Sequence, residues 1–287
     1  MKKIVVTGGK GGCGKTTIAA GLAYLSENWV ISDCDVDSPN LGIIAQPSFH
    51  EVHPFNGTSF KIDPEGCIKC GICREKCAFS AISEDFVIDP LMCESCGYCA
   101  AVCPVGAIYE AETQIGYWRE GTSRFGAFYD AYLYPGAENS GKLVTLLREK
   151  AETYAKSTSA RGVIIDGPPG VGCPVISSIT GTDLAVAVAE PTVSGIHDVR
   201  RIVELTSTLR TPVGLVLNKT DISPEKEAEL RAFAKDNKIV ILGALPYDSS
   251  ANKAQSAMKT LIEYAPESPF AVEMKAIWKR ICDLLGE

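Results

Sequence analysis

The chain has 287 residues, 46 % of them hydrophobic and 22 % charged, with 35 acidic against 28 basic side chains and a formal net charge of −7. That length buries a substantial core and suits one large domain or two unequal ones. Nothing supplies a basic stripe, so no nucleic-acid partner is expected, and no apolar run approaches the ~20 residues of a membrane-spanning helix.

Met1 to Thr7 run directly into a glycine-rich loop and read as a strand, not as a secretion signal, which needs a longer apolar stretch and a cleavage site. Without an export signal, twelve cysteines point to the cytoplasm and to metal binding rather than to disulfides. The loop itself, "GGKGGCGKTT", fits a phosphate-binding motif at Gly9-x-x-x-x-Gly14-Lys15-Thr16, with a strand before it and the helical "TTIAAGLAYLSE" after it. Glycines there let backbone N–H groups turn inward onto phosphates at a helix N-terminus. Gly9, Lys10, Gly11, Gly12, Cys13, Gly14, Lys15, Thr16 and Thr17 form the candidate nucleotide cradle. Lys15 would reach the β- and γ-phosphates, and the Thr16 hydroxyl would hold Mg²⁺.

Past a second apolar strand, "VISDCDVDSPNL", the character of the chain changes. Residues 61–82, "KIDPEGCIKCGICREKCAFSAI", align with residues 87–108, "VIDPLMCESCGYCAAVCPVGAI", at a shift of 26, with 10 of 22 positions identical. Units this short bury no core alone, whereas two packed about a pseudo-twofold axis and a shared inorganic centre would. Each carries C-x₂-C-x₂-C-x₃-C, the spacing of bacterial two-cluster ferredoxins, in which the fourth cysteine of each run crosses to the other cluster. That resemblance implies one [4Fe–4S] cluster on Cys67, Cys70, Cys73 and Cys103, and a second on Cys77, Cys93, Cys96 and Cys99. Zinc is the competing occupant, but structural zinc sites pair two C-x₂-C units rather than running four cysteines together. Cys103 precedes a proline as the pattern expects, but Cys77 precedes Ala78, which leaves the first cluster loop less rigid. Residues 61–110 hold four Lys or Arg against eight Asp or Glu, a net −4 that either steers a basic redox partner or simply solvates the surface.

Residues 112–136 alternate loosely and suggest strands returning to the main sheet. "SGKLVTLLREKAETYAKS" reads as a helix, and "GVIIDGPP", "DLAVAVAEP", "PVGLVLNKTD" and "KIVILGALP" read as buried parallel strands. "SPEKEAELRAFAKDN" reads as a helix capped by Ser223. "PFAVEMKAIWKRICDLLGE" has helical spacing and mixed charge, which favours core packing over a membrane-surface role. Cys34 and Cys282 are expected in the core. Cys173 follows "GVG", where it would pack or meet its twofold mate.

With its extra lysine at position 10, the loop "KGGCGKTT" resembles the deviant phosphate loop of the MinD/ParA family of ATPases. In that family this lysine reaches across a nucleotide-sandwiched homodimer to the partner's phosphates, so the resemblance implies an ATP-dependent homodimer with Lys10, Lys15 and Asp35 as catalytic residues. It further implies that Asp33 and Asp166 support Mg²⁺ and that Asp35 orients the attacking water, with Asp37 as a rival. Gly170 would offer its N–H to the γ-phosphate, and Asn218, Pro246 and Asp248 would contact the base. Asn218-Lys-x-Asp221 also matches GTP-binding proteins, but Lys10 favours ATP.

The expected fold is α/β, a mostly parallel P-loop sheet with flanking helices (residues 1–57 and 112–287) interrupted by a small α+β ferredoxin-type domain (58–111). The expected protein is a cytoplasmic Mg²⁺-dependent ATPase, slow without its partner. It would couple nucleotide state to iron–sulfur electron transfer or to maturation of a partner's Fe–S or metal site. The alternative is a positioning or partitioning ATPase with structural or sensory clusters.

Overall fold

The computed structural model describes residues 1–137 and 140–286. Nine strands, β1 (Lys2–Gly8), β2 (Trp29–Asp33), β3 (Ser48–Ile62), β4 (Ile108–Ser123), β5 (Gly126–Leu133), β6 (Gly162–Pro169), β7 (Leu184–Ala189), β8 (Val213–Asn218) and β9 (Val240–Leu245), form one sheet. Its order is β3-β4-β5-β2-β6-β1-β7-β8-β9. From β5 to β9 every pairing is parallel. The fold is therefore α/β with a large, mostly parallel sheet. The chain divides into two compact units, one of Met1–Val52, Arg119–Ala131 and the residues from Ser140 onward, the other of His53–Trp118 with a short segment from Tyr132.

In the first unit the apolar runs become central strands because parallel strands are covered on both faces. "LAVAVA" of β7 is buried at all six positions. One face packs against the Lys15–Leu25 helix and the closing Pro269–Leu285 helix in a continuous core around Ile18, Leu22, Met274 and Ile277. Gly21 permits that approach, since a Cβ there would stand 2.8 Å from Met274 Cε. The other face packs against the Val193–Thr208 and Pro224–Asp236 helices through Ile196, Ile202 and Leu230. Ser223 caps the latter helix, its hydroxyl accepting from Lys226 N at 3.3 Å. Cys34 is buried just beyond the end of β2, whereas Cys282 is only half-buried on the closing helix.

Parallel pairing also aligns the strand ends. Asp33 closes β2 directly opposite Asp166 of β6, and Val6 of β1 lies opposite Asp166 from the other side. The crevice beyond the carboxyl ends of such strands is where open α/β sheets bind ligands.

The second unit is poor in core. Among the described residues its buried apolar side chains are Cys73, Ala81, Ile82, Ala107, Ile108 and Trp118, of which Cys73, Ile82 and Ile108 form one cluster ringed by half-buried side chains. The two repeats interlock reciprocally: Asp63 N donates to Ala107 O and Asp89 N to Ala81 O, both at 2.8 Å. Residues 63 and 89, and 81 and 107, are equivalent at the 26-residue shift. Left-handed backbone recurs at the same equivalent places, Lys69 and Ser95, Gly71 and Gly97, Ser80 and Gly106. Holding Lys69, Ser80 and Ser95 there costs conformational energy, because a Cβ crowds that region.

Candidate functional site

The phosphate loop runs from β1 into the Lys15–Leu25 helix, and its last residue, Gly14, sits at the helix N-cap with φ 97°. A Cβ on Gly14 would stand 2.3 Å from Asn218 Nδ2. Gly14→Ala is therefore expected to add about 1–2 kcal/mol of backbone strain and to dislodge Asn218. Titration calorimetry should show nucleotide binding weakened roughly tenfold or more; binding within twofold of the parent would contradict this account.

Beside the loop lies a cavity of about 400 Å³, lined by Gly11, Gly12, Gly14, Lys15, Thr16 and Thr17 on one side and by Asp35, Ser38 and Asn40 on another. Gly9, Lys10 and Cys13 stay outside this lining. Gly9 packs against Asp198, and Cys13 is buried. Lys15 folds back on the loop, its Nζ donating to Lys10 O at 3.3 Å.

Asp33 and Asp166 are both buried, at the paired ends of β2 and β6. Asp33 accepts from Leu41 N at 2.9 Å and Asp35 N at 3.2 Å. Neither oxygen of Asp166 has a hydrogen-bond partner, although the nearby Thr16 hydroxyl favours its charged form. Burial pushes the Asp166 carboxyl up to about 7, against a pull downward from Thr16 and Lys15. Burial also lifts Asp33 well above the usual carboxylate range, and the neighbouring Asp166 charge adds to it. A buried carboxylate without a partner is costly unless something else satisfies it. A divalent cation fits the chemistry of these residues, because Asp33 and Asp166 stand opposite each other on paired strands and, with the Thr16 hydroxyl, offer the hard oxygen ligands that suit Mg²⁺.

The two rival water-orienting acids separate by position. Asp35 is half-buried on the cavity wall, accepts from Ser38 Oγ at 3.4 Å, and has its carboxyl raised by burial. Asp37 is exposed and outside the lining.

Several residues expected to contact the nucleotide meet partners of their own chain or lie off this lining. Gly170 does not offer a free N–H, since it donates to Gly8 O at 3.1 Å. Asn218 does not line the cavity; its Nδ2 donates to Cys13 O at 2.8 Å and its Oδ1 accepts from Lys219 N at 3.0 Å, so it braces the loop. Pro246 and Asp248 also lie off the lining, Asp248 accepting from Ser250 N at 2.8 Å. Asp221, the residue a guanine reader would use, is occupied by Tyr247 N at 2.7 Å. The far wall is instead built by Asn252, Gln255, Lys259 and Thr260, which carry no motif.

Lys10, expected to face a partner, lies against its own chain: Nζ is 3.1 Å from Glu190 and 3.3 Å from Ser194 Oγ.

In the second unit all eight motif cysteines are free thiols, and they fall into two groups. Cys77, Cys93, Cys96 and Cys99 line one cavity of about 250 Å³. Cys67, Cys70, Cys73 and Cys103 line another of about 10 Å³, where a cubane needs the side chains to turn outward. Each group takes three cysteines from one run and the fourth from the other. Ala107 N donates to Cys103 Sγ at 3.3 Å, and the amides of residues 105–108, Val105 foremost, hold this thiol below its ordinary range. Among the described residues no three cysteine sulfurs lie within 4.8 Å of one another. Tetrahedral zinc at ~2.3 Å from sulfur needs thiolates about 3.8 Å apart, so the described sulfurs are not gathered around a single ion.

Three comparisons bear on these sites. The profile of the CobQ/CobB/MinD/ParA nucleotide binding domain matches residues 4–261. An uncharacterised protein of Methanocaldococcus jannaschii is 34 % identical over 282 residues, covering 93 % of this chain and 97 % of its own. The septum site-determining protein MinD of Pyrococcus horikoshii, solved with Mg-ADP, superposes with a TM-score of 0.62 at 15 % identity, covering 99 % of this chain and 97 % of its own. An ATP complex of a Cyanothece McdA variant gives 0.59 at 15 % identity, covering 100 % and 96 %.

Proposed function

The chain belongs to the CobQ/CobB/MinD/ParA nucleotide-binding family, and from that membership we propose that it is an Mg²⁺-dependent ATPase whose nucleotide state governs two [4Fe–4S] clusters held in its cysteine-bearing unit. ATPases of the MinD/ParA type bind and hydrolyse ATP. Lys15 would hold the β- and γ-phosphates, Thr16, Asp33 and Asp166 would support the metal, and Asp35 would orient the attacking water. Bound Mg²⁺ supplies neutralisation of charge on the phosphoryl oxygens.

The observation that carries the cluster reading is the crossed grouping of the cysteines, three plus one in each cavity. Core size supports it independently. A unit that buries so few apolar side chains needs a staple, and its eight motif cysteines form no disulfide. The clusters would supply one-electron storage, with potentials tuned by amides directed at the sulfurs. Function would then be electron delivery or maturation of a partner's metal site.

Material purified without oxygen should contain about eight irons and matching sulfide per chain. A content near one metal ion, or zinc in place of iron, overturns the cluster reading and leaves the ATPase standing. Coupling is checked separately by measuring the cluster potential with ADP and with a non-hydrolysable ATP analogue; identical potentials and transfer rates defeat it.

The solved neighbours favour a second reading. They include a septum-site determinant and a plasmid partition protein of Borrelia burgdorferi, so the ATPase would act in positioning or partitioning, with the clusters structural or sensory. On that reading, ATP-driven assembly and partner-stimulated hydrolysis stay unchanged on oxidation if the clusters are structural and shift with it if they are sensory, and in neither case do electrons pass to a partner. No helix of the described residues is long and apolar enough to cross a membrane.

A further inference from the structure

The turn between β4 and β5 lines no part of the nucleotide cavity, yet it is fastened to two of the cavity's walls. One wall is the segment from Asp35 into the Leu41–Ala45 helix. The last carbonyl of that helix, Ala45 O, accepts from Arg124 N at 3.2 Å. The other wall is the stretch of Lys259, Thr260 and Leu261. There Thr260 and Glu263 cap each other: Glu263 Oε2 accepts from Thr260 N at 2.9 Å and from Thr260 Oγ1 at 2.8 Å, and Glu263 N donates to Thr260 Oγ1 at 3.2 Å. The same Oε2 receives the Arg124 guanidinium. Gln46, just past the Leu41–Ala45 helix, ties the walls to each other, its Nε2 donating to Met258 O at 3.0 Å. The Arg124 guanidinium also lies over the Phe125 ring, 4.8 Å from its centre, and Phe125 meets Tyr24 of the Lys15–Leu25 helix edge-on. Burial alone would raise the Glu263 carboxyl, but hydrogen bonds from Thr260 and the charge of Arg124 hold it below its usual range, so it is ionised at neutral pH.

The strands on either side of this turn give the contact its interest. β4 begins at Ile108, within the cysteine-bearing unit, and β5 runs on into that unit at Tyr132. The turn itself cannot slide freely, since a Cβ on Gly126, at φ 122°, would stand 2.8 Å from Trp29 O. Arg124 and Glu263 keep only 29 % and 19 % of their side chains exposed, so their pair is less screened than an ordinary surface bridge. We propose that Arg124 is a positioning residue of the nucleotide site: from a hairpin whose strands also belong to the cysteine-bearing unit, it fixes the Thr260 wall, so that nucleotide affinity and the order of the hairpin depend on each other. This rests on the ATPase reading above. The dependence runs both ways by linkage, because whatever nucleotide does to the hairpin, the hairpin does to nucleotide affinity.

The test uses the full chain, prepared without oxygen, with Mg²⁺ and a non-hydrolysable ATP analogue added or withheld. Hydrogen exchange read by peptide mass spectrometry should slow on addition of the analogue in two places in the parent. One is residues 11–17 of the phosphate loop, which border the cavity; the other is residues 108–131 of the hairpin, which do not. Arg124→Met keeps the backbone bond to Ala45 and an apolar stem. In that variant the analogue's Kd should rise about three- to tenfold, and at saturation residues 11–17 should still respond while the hairpin does not. Glu263→Gln, which keeps an acceptor for Thr260 and loses the charge, should weaken binding by a similar factor, and the double variant no further than either alone. If Arg124→Met does not fold, Arg124→Lys, which keeps the charge without the planar fork, should show the same direction at smaller size. A parent hairpin that ignores the analogue, an unchanged Kd, or single losses that simply add in the double variant overturns the proposal and leaves the ATPase reading standing. A parent that does not bind the analogue at all overturns the ATPase reading, and this proposal with it.

Discussion

Asp166→Asn should make the nucleotide-free protein more stable while cutting Mg²⁺-dependent hydrolysis by two to three orders of magnitude, roughly 10²–10³. The two effects share one cause. Asp166 is buried, both of its oxygens lack hydrogen-bond partners, and it lies opposite Asp33 across parallel strands. Two buried carboxylates side by side repel, and an unpaired buried group costs about 1–3 kcal/mol. Asparagine removes the charge and brings a donor that Asp33 can accept from. Thermal unfolding should therefore rise by roughly 2–4 °C for each kcal/mol recovered.

The pH dependence has a definite sign. A carboxyl whose folded pKa is raised loses stability for the protein as pH climbs from its unfolded value, near 3.8, to its folded one, about 7. The advantage of Asp166→Asn should accordingly grow between those limits and level off above about 7. Strain of this kind is retained where function requires it: the same unpaired oxygens are what a metal would satisfy. A variant that unfolds at lower temperature than the parent throughout that range would show that Asp166 is already paired, and the metal assignment would lose its main support.

How far this site was legible follows from how local each part is. The phosphate loop, its strand and its helix are contiguous, and their chemistry needs particular residues at fixed spacing, so Gly14, Lys15 and Thr16 announce themselves. The strands were legible because burial on both faces leaves β-branched runs. The cysteine repeat was legible for the same reason of spacing, and the reciprocal Asp63–Ala107 and Asp89–Ala81 hydrogen bonds follow from two similar units closing on each other. What escaped is non-local. Glu190 meets Lys10 only because β7 lies beside β1, and a lone glutamate after an apolar strand carries no signature. Asn218 sits where a base reader belongs, but its amide is spent on Cys13 O, a contact set by the juxtaposition of β8 and the loop. Asn252 and Gln255 of the cavity's far wall come from a short helix, Ser250–Ser256, and Lys259 from the turn after it, none with a required spacing.

If the proposed clusters are bound, pairs of cysteine substitutions should separate crossed from uncrossed ligation without any spectroscopic assignment. On the crossed arrangement, Cys103→Ala removes the cluster shared with Cys67, Cys70 and Cys73 and lowers iron from about eight to about four per chain. Adding Cys67→Ala to it should then cost no more iron, although the two residues lie in different runs. Adding Cys93→Ala, from the same run as Cys103, should take both clusters and bring iron close to zero. If each run instead held its own cluster, the outcomes would exchange: Cys67 with Cys103 would lose everything, and Cys93 with Cys103 only half. The physical ground is the reciprocal interlock, which carries the end of each repeat to the start of the other and brings Cys103 beside Cys67, Cys70 and Cys73. Loss of one cluster should also loosen the whole cysteine unit, because its apolar core is too small to hold both repeats together. Limited proteolysis of Cys103→Ala should consequently cut within residues 53–118 faster than in the parent, while the nucleotide-binding unit, with its own continuous core, resists as before. Equal cutting in both units would mean that the clusters hold no part of the fold.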